Sequence, residues 1–548
     1  MSVLSAFREA ASDARRAWTI RVSLVAVAFA VAAFAPLVFG DSRLADLAGG
    51  LYLAVAATGL AFTVGIGGLP SLAQGAFVAT GAVVAARLLQ AGVPTLVAAP
   101  LGAAAGAGSA ALVAVLFVRL PRAGIAAATW IVAWLVAVAL ESIGWFFGGT
   151  EGLVVTAGPS PAGHFELSLA LTVLAVLGFA ALARSPLGLG LAAARDREAA
   201  AAACGIPVER LRVTAFAVSG AAAGLAGALG VELAGVGDPS QYGPYLSFKL
   251  FVVVLVGGAI APLGATAGVI VLGVLSVAAD AIGSIENVAH ARSHTLLAAI
   301  MLLGVVSLGW DGIVRPVRRR FAARGAHPQT LAQQGLTASG LTKSYGVVKA
   351  ADGVSLTLEP GTVTALVGPN GSGKTTVLRL LAGAVRPDAG TIEHGGIART
   401  LQATAVFPTL TALEHLLATS RRLYGGFVRS LLATPKARAE EAGLAGAARV
   451  TLERAGIPPD VPASELPVGE QRLLMVLTAA ASGATTLLVD EPSAGASVAD
   501  AGRISDLLAE LRRDGHAILV VEHNLGVVQR IADRVVSLDG GRVVEDSA

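Results

Sequence analysis

The segment TVTALVGPNGSGKTTVLRLLAG (362–383) runs from an apolar strand pattern through a glycine-rich loop into a helix pattern. The loop reads G-x-x-x-x-G-K-T from Gly368 to Thr375, by way of Pro369, Asn370, Gly371, Ser372, Gly373 and Lys374, and Thr376 follows. Such a loop wraps phosphates in backbone N–H groups, and the helix after it turns its positive dipole end toward them. In this pattern Lys374 reaches the β- and γ-phosphates and the Thr375 hydroxyl holds Mg²⁺. A second apolar strand pattern, TTLLVDEP (485–492), ends in Asp490, placed for the Mg²⁺ shell, and Glu491, placed to polarise an attacking water. A third, AILVVEHN (517–524), ends at His523, where a γ-phosphate sensor would stand. Together these residues predict Mg²⁺-dependent hydrolysis of a nucleoside triphosphate, ATP.

The composition places that chemistry on a membrane protein. The 548 residues are 55% apolar and only 14% charged, with a mean hydropathy of +0.72. Soluble chains carry about 25% charged residues. A net charge of +3 gives no case for a nucleic-acid partner, and the basic residues cluster between apolar runs, as membrane orientation requires. The single cysteine, Cys204, excludes an intrachain disulfide and a thiolate metal cluster.

The chain divides into a membrane domain (1–311), a basic and polar linker (312–335) and an α/β domain (336–548). Apolar runs fall at 19–39, 44–66, 76–94, 96–118, 124–147, 166–184, 210–235, 247–280 and 294–310. The first is longer than a signal-peptide core, and the basic residues before it put the N-terminus in the cytoplasm. Arg195, Arg197, Arg210 and Arg212 make 185–212 cytoplasmic as well. A single helix over 247–280 would be about 51 Å long against a bilayer core of about 30 Å. A break at Pro262 gives two short helices, about ten spans in all, and an ATPase domain on the cytoplasmic side. GGLPSLAQGAF (67–77) is a second break at membrane depth, tolerated where protein or a water-filled cavity covers the backbone. Glu141 is read as interfacial, beside aromatic residues at a span end. His290 and His294 share i, i+4 spacing but lack a third ligand, so they are read as an outer loop and not a zinc site.

Residues 336–548 resemble the ATP-binding-cassette family through these motifs in this order. The resemblance implies that Tyr345 in LTKSYG stacks on adenine. It implies that Gln402 in RTLQATAVFPTLTALEHL touches Mg²⁺ and faces the permease, and that SAGAS (493–497) forms the dimer-interface loop. ELPVGEQR is similar to the signature that closes over a partner's ATP. The phrase RTLQ…FPTLTALEHL is most similar to the ATPases of branched-chain amino-acid importers. GLPSLAQGAF, GGTEGL, ARDREAAAAACGIPVERLRVTAFAVSGAAAGLAGAL and YLSFKLFVVVLVGGA resemble the permease of that same family, fused ahead of its ATPase. The implied architecture is an α-helical polytopic membrane domain followed by an α/β P-loop cassette. The implied partners are a second permease, a second cassette and an extracytoplasmic binding protein, in the lipid of the cytoplasmic membrane. Ala192–Cys204 is read as a coupling helix carrying Arg195, Asp196, Arg197 and Glu198, to dock near Gln402; the other reading is a solvated loop.

The signature departs from the family. Leu466-Pro467-Val468-Gly469-Glu470 aligns with leucine, serine, glycine, glycine, glutamine. Pro467 has neither hydroxyl nor N–H. Glu470 turns a negative charge toward a triphosphate, at roughly 2 kcal/mol per like-charge pair at ~8 Å and an effective dielectric of ~20; Arg472 offsets part of this. A register starting at Val468 loses the leucine. Ser497 replaces the Asp or Asn of many relatives, and the stretch from Lys374 to Gln402 is short. The resemblance and these departures together imply a fused half-importer of branched-chain or related amino acids, working in an asymmetric pair with one competent site; the alternatives are an importer of urea or short amides and a catalytically impaired regulatory half.

Overall fold

A computed structural model describes residues 33–144, 148, 152–155, 158–286, 334–400, 406–420 and 435–547. The run at 294–310, most of that at 19–39, the His290/His294 pair and Gln402 lie outside the described residues. Two compact units form. One is drawn from Met1–Ala183 and Glu209–Arg319, the other from Arg184–Val208 and Arg320–Ala548.

The first unit is helical: α1 (Asp41–Ala61), α2 (Gln74–Gln90), α3 (Thr95–Phe117), α4 (Arg122–Ser142) and α5 (Pro161–Arg184). After the 184–208 segment come α8 (Val208–Ala234), α9 (Pro244–Gly257) and α10 (Gly264–Glu286). Among the described residues five helices are long and apolar enough to span a bilayer, and α9 is a shorter apolar helix. Close packing explains the Gly/Ala bias: a Cβ at Gly106 would lie 2.4 Å from the Gly220 carbonyl oxygen, so only glycine lets α3 and α8 approach this far.

Both expected breaks are present. A π-helical turn, Phe62–Ile66, extends α1, residues 67–73 are non-helical, and α2 starts at Gln74. The buried Gln74 amide nitrogen donates to the Ala56 (3.0 Å) and Ser219 (3.3 Å) carbonyls, and the amide oxygen accepts from Ser219 Oγ at 3.1 Å. The Thr129 hydroxyl accepts from Leu72 N at 3.0 Å, and that of Ser247 from Gly75 N at 2.9 Å. Side chains from neighbouring helices thus satisfy the freed backbone. The second break separates α9 from α10 and opens at Gly258, with φ 107°. The two breaks abut, since a Cβ on Gly65 would lie 2.0 Å from the Ala259 carbonyl oxygen. Glu141 is exposed in the last turn of α4. Among the described residues of this unit the buried acid is Glu232, hydrogen-bonded to Thr95, while Tyr52 Oη lies 3.0 Å from Nδ1 of the buried His164.

The first unit also holds the short antiparallel pair β1 (Leu153–Val154) and β2 (Val236–Gly237), and the second unit contains a six-stranded sheet, in the order β11-β10-β5-β9-β8-β7. Its strands are β5 (Val363–Val367), β7 (Ile397–Arg399), β8 (Thr486–Asp490), β9 (Ala517–Val521), β10 (Arg534–Asp539) and β11 (Arg542–Ser547). All pairings are parallel except β10–β11. Every residue of β8 and β9 is buried, which accounts for their unbroken apolar runs. An antiparallel sheet joins β3 (Leu336–Tyr345), β4 (Val348–Leu358) and β6 (Ala389–His394). The helices are α11 (Lys374–Leu381), α12 (Ala412–Thr419), α13 (Pro435–Arg454), α14 (Val468–Ala481), α15 (Val498–Arg513) and α16 (Leu525–Ile531). Leu341, Leu356, Leu378, Leu488, Leu519 and Leu538 share the core between sheet and helices.

The segment expected as one helix over Ala192–Cys204 is two: α6 (Pro186–Asp196), capped by Ser185, and α7 (Glu198–Ala203). They break at Arg197, whose backbone is extended (φ −149°, ψ 92°). Alanine-rich propensity favours a continuous helix, but hydrogen bonds at Asp196, described below, hold the chain at the break.

Candidate nucleotide site

Three neighbouring parallel strands bring the site together. Leu366 of β5 pairs with Val521 of β9, and Val521 pairs with Asp490 of β8. The glycine loop, the acid pair and the His523 segment therefore leave the sheet at one level, beyond its strand C-termini, where open α/β sheets hold ligands. Gly368 has φ 149°, and a Cβ there would lie 2.1 Å from the Leu538 carbonyl oxygen. Lys374 Nζ folds back to donate to the Gly368 and Pro369 carbonyls, both at 2.8 Å. Burial holds its ammonium below the usual lysine range, and the Glu491 carboxylate opposes that shift. Thr375 is exposed in the first turn of α11, and Thr376 is half-buried. Tyr345 ends β3 and is 49% exposed, with Lys343 Nζ over its ring at 6.0 Å from the centroid.

Glu491 is, among the described residues, the non-glycine residue at positive φ (46°), a backbone strain of about 1–3 kcal/mol of the kind that gathers at functional sites. His523 Nε2 lies 3.2 Å from its carboxylate. Asp490 has a side chain only 2% exposed and accepts a hydrogen bond from Arg399 at 2.9 Å. Buried Glu522, which the sequence reading passed over, organises both strand ends. One carboxylate oxygen accepts from Ser493 N (2.9 Å) and the Ser493 hydroxyl, the other from His523 N (2.8 Å) and Asn524 N (3.1 Å). For Mg²⁺ the donor set fits. No cluster of His, Cys, Asp and Glu among the described residues could cage a metal, and Mg²⁺ characteristically takes one or two protein oxygens together with phosphates and waters.

In the signature segment Leu466 is buried and Pro467 stands just before α14 as its N-cap. Glu470 lies in the first turn, where the helix dipole favours a carboxylate. Gly469 is close-packed, since a Cβ there would meet the Asp500 carboxylate at 2.3 Å. Asp500 is held in turn by Ser497, which caps α15 by accepting from Asp500 N at 3.1 Å. Gly469 thus makes room for an acid of its own chain. Arg472 keeps a buried Nη1 with no hydrogen-bond partner.

Comparison with known proteins gives two family matches: "Branched-chain amino acid transport system / permease component" over residues 45–306 and "ABC transporter" over 351–494. The high-affinity branched-chain amino acid transport ATP-binding protein LivG of Escherichia coli K12 is 33% identical over 230 residues, covering 38% of this chain and 90% of LivG. BraF of Pseudomonas aeruginosa, a protein of the same description, is 32% identical with the same coverage. The ribose import ATP-binding protein RbsA of Chromobacterium violaceum is 32% identical over 221 residues, and this chain spans 42% of its length. The chain belongs to the branched-chain amino-acid ABC transporter family. It carries the family's permease and ATPase on one polypeptide.

In this fused transporter the 184–208 segment groups with the cassette. Asp196 Oδ2 accepts from Thr409 N at 2.9 Å and from Thr409 Oγ1 at 2.6 Å, and Arg195 donates to Thr409 Oγ1 at 3.0 Å. Thr409 lies two residues before Thr411, the cap of α12. A solvated loop would leave these charges in water; the Asp196 side chain is 5% exposed. Arg197 and Glu198 face solvent. Cys204 is buried, which pushes its thiol up to about 12, so it is inert as a nucleophile.

Proposed function

We propose that the chain is one fused half of an ATP-driven importer for branched-chain or related amino acids in the cytoplasmic membrane, with its N-terminus and ATPase domain cytoplasmic. It would work with a second permease, a second cassette and an extracytoplasmic substrate-binding protein. The convergence of Lys374, Thr375, Asp490, Glu491 and His523 beyond the C-terminal ends of three neighbouring strands carries this reading. Lys374 would exchange its loop carbonyls for the β- and γ-phosphates. Thr375 and Asp490 would hold Mg²⁺, together with Gln402, and the ion, once bound, supplies charge neutralisation across the phosphates. Glu491 would orient the attacking water, and His523, 3.2 Å from it, would sense the γ-phosphate. Tyr345 would stack on adenine.

The signature supports an asymmetric pair. Pro467 offers a partner's γ-phosphate no donor, and Glu470 and Asp500 bring two carboxylates to the same helix end. This chain's own loop would hydrolyse ATP against a partner's intact signature. The 184–208 segment would couple the permease to the cassette through Asp196 and Thr409.

ATP hydrolysis by the chain in lipid, alone and then with candidate partner subunits, tests this. Activity that appears only with partners and vanishes in Glu491→Gln here supports a single competent site. Hydrolysis by the chain alone that Glu491→Gln abolishes would show a working signature and overturn the asymmetric pair.

A further inference from the structure

Arg399 ends β7, next to β8 in register, with Arg399 opposite Leu488. Its guanidinium donates to Asp490 Oδ2 at 2.9 Å, and its side chain is 10% exposed. The following residue extends the link, because the Thr400 hydroxyl accepts from Asp490 N at 3.1 Å and Thr400 N donates to the Leu488 carbonyl at 2.9 Å. Arg399 also keeps a buried Nε with no hydrogen-bond partner. Among the described residues its charge-assisted contact is Asp490, and a buried donor left unmatched makes the guanidinium sensitive to what packs around it. Arg399 also lines a cavity of about 20 Å³, with Thr400, Phe407, Met475, and Ala200 and Cys204 of the 184–208 segment. Ala200 and Cys204 are themselves buried.

We propose that Arg399 is a positioning residue for the metal-facing carboxylate of Asp490, and that it passes the state of the 184–208 segment to that carboxylate. The inference rests on the reading of this site as a Mg²⁺–ATP site. Arg399 occupies Oδ2 and fixes the rotamer of Asp490, which leaves the second oxygen to face the metal shell. Ala200 of α7 lines the same cavity as Arg399, so a shift of α7 changes the packing around the side chain that holds Asp490.

The test uses the full chain in lipid with Mn²⁺ as a paramagnetic stand-in for Mg²⁺ and a non-hydrolysable ATP analogue. Mn²⁺ half-saturation is read by electron paramagnetic resonance, and metal-free nucleotide binding by fluorescence. Arg399→Met is expected to raise the Mn²⁺ half-saturation about tenfold with metal-free binding unchanged, and Arg399→Lys to restore part of it. Ala200→Val, which fills the cavity, is expected to shift Mn²⁺ half-saturation about threefold and to add nothing in the Arg399→Met background. Mn²⁺ affinity within twofold of wild type in Arg399→Met overturns the positioning role. Loss of metal-free binding in that variant also overturns it, showing Arg399 to be merely structural. Independent, additive effects of Ala200→Val overturn the link to the 184–208 segment. Failure of the unaltered chain to bind Mn²⁺ with the analogue would instead sink the nucleotide-site reading itself.

Discussion

Glu522 lies inside the AILVVEHN segment, yet no role attaches to it there until the strands that carry Glu491 and His523 are seen side by side. Its two oxygens hold the segment after Glu491 and the segment containing His523 by four donors. Glu522→Ala leaves those donors buried and unpaired, and each unsatisfied group costs about 1–3 kcal/mol. A fall of about 3 kcal/mol in cassette stability is expected, read by chemical denaturation, with ATPase activity dropping more than tenfold. Glu522→Gln, which keeps one acceptor oxygen, should fall between; equal loss in both variants would mean that charge, not hydrogen bonding, matters. His415 makes a pH prediction. It is fully buried, its ring stacks on Phe407 at 4.7 Å, and Nε2 lies 3.0 Å from Phe407 N and 3.1 Å from the Phe407 carbonyl oxygen, to which it donates when protonated. Desolvation pushes its pKa down to about 3, against the smaller opposing effect of the Phe407 backbone hydrogen bond. The unfolded chain, with an ordinary histidine, binds this proton first as pH falls. Stability is therefore unaffected by His415 above pH ~6.5 and declines below it, with a slope approaching about 1.4 kcal/mol per pH unit. Denaturation midpoints between pH 4 and 7 should flatten in His415→Gln relative to the unaltered chain.

At the scale of elements, legibility followed locality. The strand–loop–helix around Lys374, the acid-ended β8 and the breaks near Gly67 and Pro262 were all readable, because each is fixed by residues within one short stretch. Arg399 was not, because its partner Asp490 lies 91 residues away and they meet only through the β7–β8 pairing. The break at Arg197 was missed for the opposite reason. Local alanine propensity is strong there, and it is overridden by Asp196, which is drawn onto Thr409. That clasp has a testable consequence. Thr409→Val removes both hydroxyl bonds, to Asp196 and from Arg195, and keeps the backbone one; a hydrogen bond to a charged group contributes about 1.5–3 kcal/mol. If the clasp couples the two activities, transport-stimulated ATPase should fall about tenfold while the unstimulated rate changes less than twofold. A parallel fall in both rates would assign Thr409 to folding of the cassette and not to coupling.

For the whole molecule, fusion fixes the ratio of permease to cassette at one to one and makes the quality of each signature a property of the pairing. A homodimer would close two Pro467 signatures over two ATPs, whereas a mixed pair would meet at least one intact signature. The Gly469–Asp500 contact sharpens this contrast, because the carboxylate that fills the space beside Gly469 adds to the charge of Glu470 at the same helix end. Restoring the missing donor separates the alternatives. Pro467→Ser returns a hydroxyl at the N-cap of α14, a position that serine also favours for helix stability, so the fold should be kept. A hydrogen bond from that hydroxyl to a phosphate is charge-assisted and contributes about 1.5–3 kcal/mol, roughly ten- to a hundredfold in rate if it forms only as the reaction proceeds. Under the asymmetric design, Pro467→Ser should raise ATP hydrolysis by the chain alone by about tenfold or more, and Pro467→Ser with Glu470→Gln by more again, since a like-charge opposition is removed. The same substitutions should leave the mixed complex within about twofold, because there the working site uses the partner's signature. A gain in the mixed complex as large as in the chain alone would mean that this chain's signature sits over the rate-determining ATP, and the pair would then be functionally symmetric despite its sequence.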